Sequence, residues 1–191
     1  MKHLFIHVPK TGGYTIRKHG NVTSYVHHTA SELSGMLPDF WDRYRFCMVR
    51  NPYDRFLSAY MYYRQMGPSH EFWDMEADRL CAQEVHKYAT FEKFVYGFNY
   101  FKFKSRIHFL PQVNWTHIGN TQAVDYVGRF EEYDRSWQYI CQQIGVPYSV
   151  LPVTNACRHS PWRFYYTGNM RRVIQNIFME DFDAFGYQLS L

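Results

Sequence analysis

The chain has no long apolar run. Across its 191 residues, no hydrophobic stretch approaches the roughly 20 residues that a helix needs to cross a bilayer. No segment with a charged start and an apolar middle precedes the first strand candidate, so we expect no secretory leader. We therefore expect a cytoplasmic protein with no membrane partner. The length fits one domain that spans residues 1–191.

Cysteine and net charge are also limited. The four cysteines are Cys47, Cys81, Cys141 and Cys157, and they form neither a close pair nor the spacing of a metal site. We expect free thiols and no bound metal. A net charge of +4 is too small to indicate a nucleic-acid partner. Aromatic residues, in contrast, make up 20% of the chain, and we expect most of them in the core.

The first motif is a glycine turn at the end of a predicted strand. Leu4 to Val8 is a short apolar run typical of a buried strand, and the sequence PKTGG follows at Pro9 to Gly13. Two adjacent glycines let main-chain amides approach an anion closely. A helix that begins after them would turn its positive end toward the same anion, and the lysine would add a charge. The candidate ligands are Lys10, Thr11, Gly12, Gly13, Tyr14 and Thr15.

The second motif repeats this plan about forty residues later. Arg45 to Val49 is predicted to be a strand, and the sequence RNPYDRFLSAY follows at Arg50 to Tyr60. Pro52 suits the first turn of a helix because it needs no amide partner there. Arg50 offers a planar fork of donors and Ser58 a hydroxyl, so both are candidate ligands of one phosphate.

Strand and helix candidates alternate along the chain. This alternation predicts an α/β fold with a mainly parallel central sheet flanked by helices on both faces. Phosphate-binding turns would then gather at the carboxyl ends of the strands. Further strands are predicted at Val22 to Val26 and Ala123 to Phe130, and further helices at Ser31 to Leu37, Phe91 to Phe98 and Asp134 to Ile144.

Two adjacent histidines, His27 and His28, follow the second predicted strand. Histidine suits a general base because its ordinary pKa lies near the working pH. Neighbouring residues at a strand end point to opposite sides, so we expect only one of the two to serve. A polar loop pair without a catalytic duty is the alternative interpretation.

These motifs resemble the two cofactor loops of sulfotransferases that use 3'-phosphoadenosine 5'-phosphosulfate (PAPS). The resemblance is strongest to the carbohydrate sulfotransferases of the heparan sulfate 2-O type, and it covers nearly the whole chain. In that superfamily, PKTGG-type loops hold the 5'-phosphosulfate and RNPxxRxxSxY-type segments hold the 3'-phosphate. Further similar segments, in the expected order, are HHTASEL at His27 to Leu33, LPQ at Leu110 to Gln112, VDYVGRFE at Val124 to Glu131, LPVTN at Leu151 to Asn155 and DFDAFGY at Asp181 to Tyr187.

The resemblance implies a P-loop-like three-layer fold and a specific reaction. That reaction is transfer of a sulfuryl group from PAPS to an acceptor hydroxyl of a carbohydrate, with adenosine 3',5'-bisphosphate (PAP) as product and no metal. Lys10 is our candidate to neutralise the departing oxygen. The HxTAxE spacing of the group matches His27 better than His28 as the base. By its position before the last helices, Arg158 is a candidate ligand of the 3'-phosphate.

Two other functions fit parts of the sequence. The first is a nucleotide-dependent kinase or hydrolase with a related loop, in which Asp125 would bind a metal. Against it, the lysine precedes the glycines here, whereas the usual order is GxxxxGK[ST]. The second is a binding module that keeps the nucleotide loops, or binds a glycan through its aromatic residues, without catalysis.

Overall fold

The computed structural model describes residues 2–66, 76–103, 106–152 and 160–189. By their contacts, the residues form two compact units, Met1–Arg50 with Gln112–Ala156, and Asn51–Pro111 with Cys157–Leu191. The single domain expected from the length remains a prediction. In chain order the elements are β1 His3–Ile6, α1 Gly13–His19, β2 Ser24–Tyr25, α2 Ala30–Met36, β3 Tyr44–Val49, α3 Pro52–Met66, α4 Glu76–His86, α5 Phe91–Gly97, α6 Tyr100–Phe103, α7 Val113–Thr116, β4 His117–Ile118, β5 Thr121–Gln122, β6 Tyr126–Arg129, α8 Tyr133–Ile144 and α9 Gly168–Phe185.

The first unit contains a parallel sheet in the order β2-β1-β3-β6. Strand β1 lies between β2 and β3, with Phe5 opposite Ser24 on one side and Phe46 on the other. On the far side of β3, Met48 is opposite Gly128 of β6. Each of these pairings is parallel. The predicted α/β fold with a parallel central sheet flanked by helices is confirmed.

The two central strands are buried on both faces. Leu4 and Ile6 of β1 are fully buried, and so is Phe5, which points to the opposite face. A strand covered on both faces is a continuous apolar run, which is why β1 and β3 were legible in the sequence. On one face, Ile16 of α1 and Trp137 of α8 share a hydrophobic cluster with residues of β1 and β3.

The second unit is helical in its described part. Helix α3 contacts α4 and α9, and α9 also contacts α5. Its core is an aromatic cluster in which the Phe56 ring lies 5.4 Å from that of Phe94 and 5.5 Å from that of Phe109. The expectation that most aromatic residues form core is met here. Among the residues described, no helix is both long and apolar enough to cross a membrane.

Candidate active site

The ends of two neighbouring parallel strands bring the predicted motifs together. Because β1 and β3 pair side by side, with Ile6 opposite Cys47, the chain segments that leave their carboxyl ends are adjacent. The Arg50 guanidinium, which follows β3, donates from Nη1 to the Lys10 carbonyl oxygen at 3.3 Å. Two residues forty positions apart in the sequence are therefore in direct contact.

The glycine turn has a left-handed backbone at two positions. Gly12 has φ 77°, which glycine adopts readily, but Lys10 has φ 68°, which is unfavourable for a residue with a side chain. Inside the turn, the Thr11 hydroxyl donates to the Val8 carbonyl oxygen at 2.8 Å. The Thr15 amide donates to the Gly12 carbonyl oxygen at 3.1 Å. These bonds fix the loop, and they occupy the Thr11 hydroxyl and the Thr15 amide that the sequence suggested as ligands.

Two aromatic side chains support the turn from α8 and the residues before it. The Tyr133 hydroxyl donates to the Gly12 carbonyl oxygen at 2.8 Å. Burial raises the pKa of Tyr133, so the phenol keeps its proton and remains a donor. A Cβ added at Gly12 would lie only 2.8 Å from the Tyr133 ring. A side chain at position 12 would therefore collide with Tyr133. Next to it, the Arg50 guanidinium lies over the Phe130 ring, 4.2 Å from the ring centroid.

The main chain of Arg50 is also held at both of its polar groups. The side-chain oxygen of Gln112 accepts from the Arg50 amide at 2.9 Å, and the side-chain nitrogen of Gln112 donates to the Arg50 carbonyl at 2.9 Å. Gln112 is fully buried. A buried amide that satisfies both groups of one residue leaves that residue little freedom to move. The guanidinium therefore extends from a main chain that is fixed in position.

His27 is anchored by three contacts. Its Nδ1 lies 3.2 Å from the His7 carbonyl oxygen. Because a carbonyl oxygen only accepts, Nδ1 carries the proton and Nε2 carries the lone pair in the neutral ring. The indole nitrogen of Trp115 donates to the His27 carbonyl oxygen at 3.0 Å. The His27 ring also lies against the His7 ring, with centroids 4.2 Å apart.

The His27 backbone is strained, as that of Lys10 is. It has φ 56°, and Lys10, Asn21 and His27 are the residues other than glycine with positive φ in the described part of the chain. Asparagine and histidine are enriched in this region relative to other side chains, whereas lysine is not. Strain of this kind persists where surrounding contacts impose it, and it clusters at functional sites.

His28 is held by its own segment. Its Nδ1 lies 3.1 Å from the Val26 carbonyl oxygen, two residues back. Its ring meets that of Tyr25 edge-on at 6.5 Å. The next residue, Thr29, caps α2 through a reciprocal capping box with Glu32. The contacts of His28 are thus local, whereas those of His27 reach His7, directly after β1, and Trp115 of α7.

The region around the turn carries positive charge. Burial lowers the pKa of His7 well below its ordinary value, and the charges of His27, Arg17 and Lys10 lower it further. Three cationic or protonatable neighbours oppose protonation of His7, because together they create a positive potential around its ring. Such a potential favours an anion at this edge of the sheet.

The other predicted site residues are less informative. Tyr14 is exposed, with the Lys18 ammonium 5.8 Å from its ring centroid. Ser58 is buried within α3 in the second unit. Arg158 lies outside the described residues. Cys47, Cys81 and Cys141 are free thiols, as expected, and Cys157 also lies outside the described residues.

Asp125, the metal ligand of the rival kinase interpretation, is paired with an arginine. Its carboxylate accepts from Nε of Arg45 at 2.9 Å and from Nη2 at 2.7 Å, and it also accepts from the Arg45 amide at 2.7 Å. Burial opposes ionisation, but the bonds from Arg45 lower the pKa of Asp125 below its ordinary value. Within residues 2–66, 76–103, 106–152 and 160–189, no group of three or more His, Cys, Asp or Glu residues is placed to hold a metal.

The sequence did not reveal four residues that support this site. Gln112 belongs to the LPQ segment, whose place in the resemblance was the available signal. His7 directly follows β1, and its place next to an apolar run gives no functional signal. Tyr133 and Trp115 gave no signal, because Tyr133 meets Gly12 across 121 positions and Trp115 meets His27 across 88.

Comparison with known proteins gives one family. Residues 2–188 match the sequence model of a family described as the sulfotransferase family. No curated protein and no solved structure matches the chain. The match covers both motifs and nearly all of the sequence.

Proposed function

Because the chain belongs to the sulfotransferase family, whose members transfer a sulfuryl group to a hydroxyl-bearing acceptor, we propose that it uses PAPS as the donor and a saccharide hydroxyl as the acceptor. The observation that carries this proposal is the contact between Arg50 and the Lys10 carbonyl oxygen. It places an arginine suited to a phosphate next to a glycine turn suited to a second one. A donor with phosphate groups at two positions fits that pair.

The residues of the turn fit the phosphosulfate end of PAPS. When bound, PAPS supplies the sulfuryl group and leaves as PAP. Lys10 would neutralise the negative charge that grows on the departing oxygen, and the amides of the turn would orient the phosphate. Gly12 and Gly13 suit this role because the space that a Cβ would need is taken by Tyr133 and His7.

Arg50 is our proposed ligand of the 3'-phosphate. Its planar fork matches phosphate oxygens, and the guanidinium lies over the Phe130 ring next to the glycine turn. Ser58 and Arg158 remain proposed partners of the same phosphate, on the strength of the sequence motif and position.

His27 is our proposed general base. Because Nδ1 bonds the His7 carbonyl oxygen, Nε2 is the nitrogen that carries the lone pair, and it would take the proton of the acceptor hydroxyl. Removal of that proton makes the oxygen a stronger nucleophile toward sulfur. The strained backbone of His27 supports a functional role for this ring.

The first experiment is a transfer assay with radiolabelled PAPS. The acceptors are neutral saccharides, acidic saccharides and simple phenols, with and without a chelator, and calorimetry measures PAP binding in parallel. We expect PAP to bind and label to reach a saccharide in either condition. Activity that the chelator abolishes would favour the kinase or hydrolase, and PAP binding without transfer to any acceptor would favour the binding module.

The His27→Ala variant tests the base. Loss of a positioned general base should lower kcat by about 10² to 10⁴-fold while the Kd for PAP stays unchanged. The same measurement on His28→Ala is the matched comparison, because the two residues are adjacent and both place Nδ1 on a carbonyl oxygen. A larger loss in His28→Ala would assign the base to His28.

A further inference from the structure

His7 is a buried imidazole that none of the roles above uses. It follows β1 directly and is 5% exposed. Its Nδ1 is buried and makes no hydrogen bond within the part of the chain that the structure describes. A buried polar nitrogen without a partner is unfavourable, so the ring contributes through its shape and position and not through a bond from Nδ1.

The His7 ring lies between the glycine turn and the proposed base. On one side, its Cδ2 lies 2.1 Å and its Nε2 lies 2.5 Å from where a Cβ on Gly13 would be. On the other side, the His7 and His27 ring centroids are 4.2 Å apart, with the planes tilted by 37°. Phe5 stacks on the same ring at 5.6 Å. The His7 ring therefore restricts movement of the glycine turn on one side and of the His27 ring on the other.

The groups that bear on the charge of His7 are all cationic or protonatable. They are His27 after β2, Arg17 on α1 and Lys10 in the turn. Burial, and then these three groups, lower the pKa of His7 well below its ordinary value. The ring is therefore neutral at neutral pH. A neutral neighbour matters because a general base becomes charged when it takes its proton, and a second imidazolium at 4.2 Å would oppose that step.

We propose that His7 is a positioning residue, whose uncharged ring holds the His27 imidazole against the main-chain oxygen that fixes its tautomer and links that imidazole to the glycine turn. The proposal rests on the proposed function, because it assumes that His27 is the base. Its structural part, the single tautomer of His27, can be measured without any transfer reaction.

The first test is a nitrogen-15 NMR titration of histidine-labelled protein without PAPS. In the unsubstituted chain we expect neutral His27 to carry its proton on Nδ1 only, and His7 to stay neutral well into the acid range. In His7→Ala we expect both tautomers of His27. A mixture of tautomers in the unsubstituted chain, or a single tautomer in His7→Ala, overturns the proposal.

The second test compares two substitutions at position 7 in the transfer assay. His7→Ala removes the ring, whereas His7→Phe keeps a neutral ring that cannot titrate. We expect His7→Ala to lower kcat by about 10²-fold, the loss typical of a catalytic group displaced by about 1 Å, with the KM for PAPS unchanged. His7→Phe should restore most of kcat. His19→Ala, an exposed histidine at the end of α1, is the control and should match the unsubstituted chain.

The outcomes separate this proposal from the proposed function. If the unsubstituted chain transfers no sulfuryl group, the proposed function fails, and the NMR titration still decides whether His7 sets the tautomer. If transfer occurs but both substitutions lower kcat, PAP affinity and thermal stability together, His7 is only a structural residue and the positioning role is wrong. Equal kcat in His7→Ala and the unsubstituted chain has the same consequence.

Discussion

The two arginines of the RNPYDRFLSAY segment differ in what surrounds them. Arg50, in the first unit, stacks on Phe130 and donates to the Lys10 carbonyl oxygen at the mouth of the glycine turn. Arg55, in the second unit, is 2% exposed and donates to the Leu110 carbonyl oxygen at 2.8 Å, and to that of Ile107 at 3.5 Å. The Arg50 guanidinium lies beside a predicted anion site, whereas the Arg55 guanidinium stabilises a turn of the second unit.

The comparison shows that a motif does not give each of its residues the same task. Arg55 satisfies main-chain oxygens in a buried turn, which is a contribution to folding. Arg50 has its main chain fixed by Gln112, and its guanidinium contacts the Phe130 ring and the Lys10 carbonyl oxygen. We therefore expect substitutions around Arg50 and Lys10 to reduce activity, and substitutions around Arg55 to reduce stability.

Lys10→Ala should give the largest effect. Loss of the charge that stabilises a developing anion lowers kcat by about 10³-fold, the upper range for one such donor. The melting temperature should change little, because alanine and lysine both carry a Cβ and are equally restricted at this left-handed position. The measurement is single-turnover sulfuryl transfer together with thermal unfolding. A folded variant with unchanged kcat would remove Lys10 from the mechanism.

Arg50→Gln should weaken the binding of PAP. A charge-assisted bond contributes about 1.5 to 3 kcal/mol, so calorimetry should show a Kd raised by about 10 to 100-fold. Adenosine 5'-phosphate, which is PAP without the 3'-phosphate, is the matched ligand, and its affinity should change little. An equal loss for both ligands would mean that Arg50 does not distinguish the 3'-phosphate.

Arg55→Gln tests whether the second arginine contributes to stability and not to ligand binding. The shorter side chain leaves the Leu110 carbonyl oxygen without its partner, and a buried unsatisfied group costs about 1 to 3 kcal/mol. Urea unfolding should show that decrease in the free energy of unfolding. The folded fraction should bind PAP with unchanged Kd. A weaker affinity at unchanged stability would exchange the roles of the two arginines.

The smallest expected effect is a change in how the stability of the chain depends on pH, caused by His7. Because the pKa of His7 is lower in the folded chain than in the unfolded one, the unfolded chain binds more protons below about pH 6.5. Stability should therefore fall as the pH drops below that value, until the folded-state pKa is reached. In His7→Phe this part of the decrease should be missing. Thermal unfolding between pH 7.5 and pH 5, as chosen test conditions, measures the difference, and equal slopes would contradict it.

Much of the first unit was legible in the sequence. The predicted strand Arg45 to Val49 corresponds to β3 at Tyr44–Val49, and the predicted helix Asp134 to Ile144 to α8 at Tyr133–Ile144. Both signals are strong because a strand buried on two faces is uniformly apolar, and a helix against a sheet has an apolar stripe. Predicted strand Val22 to Val26 was less accurate, since β2 is only Ser24–Tyr25.

The parts that could not be predicted depend on contacts between distant positions. Periodicity reports which residues are buried, but it does not report that Tyr133 bonds Gly12 or that Gln112 bonds Arg50. Aromatic residues were especially ambiguous, because the same ring type forms the Phe56 cluster in one unit and supports Arg50 in the other. The roles of the site residues remain predictions for the experiments above.

The positive φ angles of Lys10 and His27 have a consequence for anyone who engineers this chain. Glycine or asparagine at either position would relax the backbone, so a library screened only for heat resistance would accept such replacements. The selected variants would be more stable but would lack transfer activity. Selection for thermostability should therefore hold positions 10 and 27 fixed, or score turnover in every round.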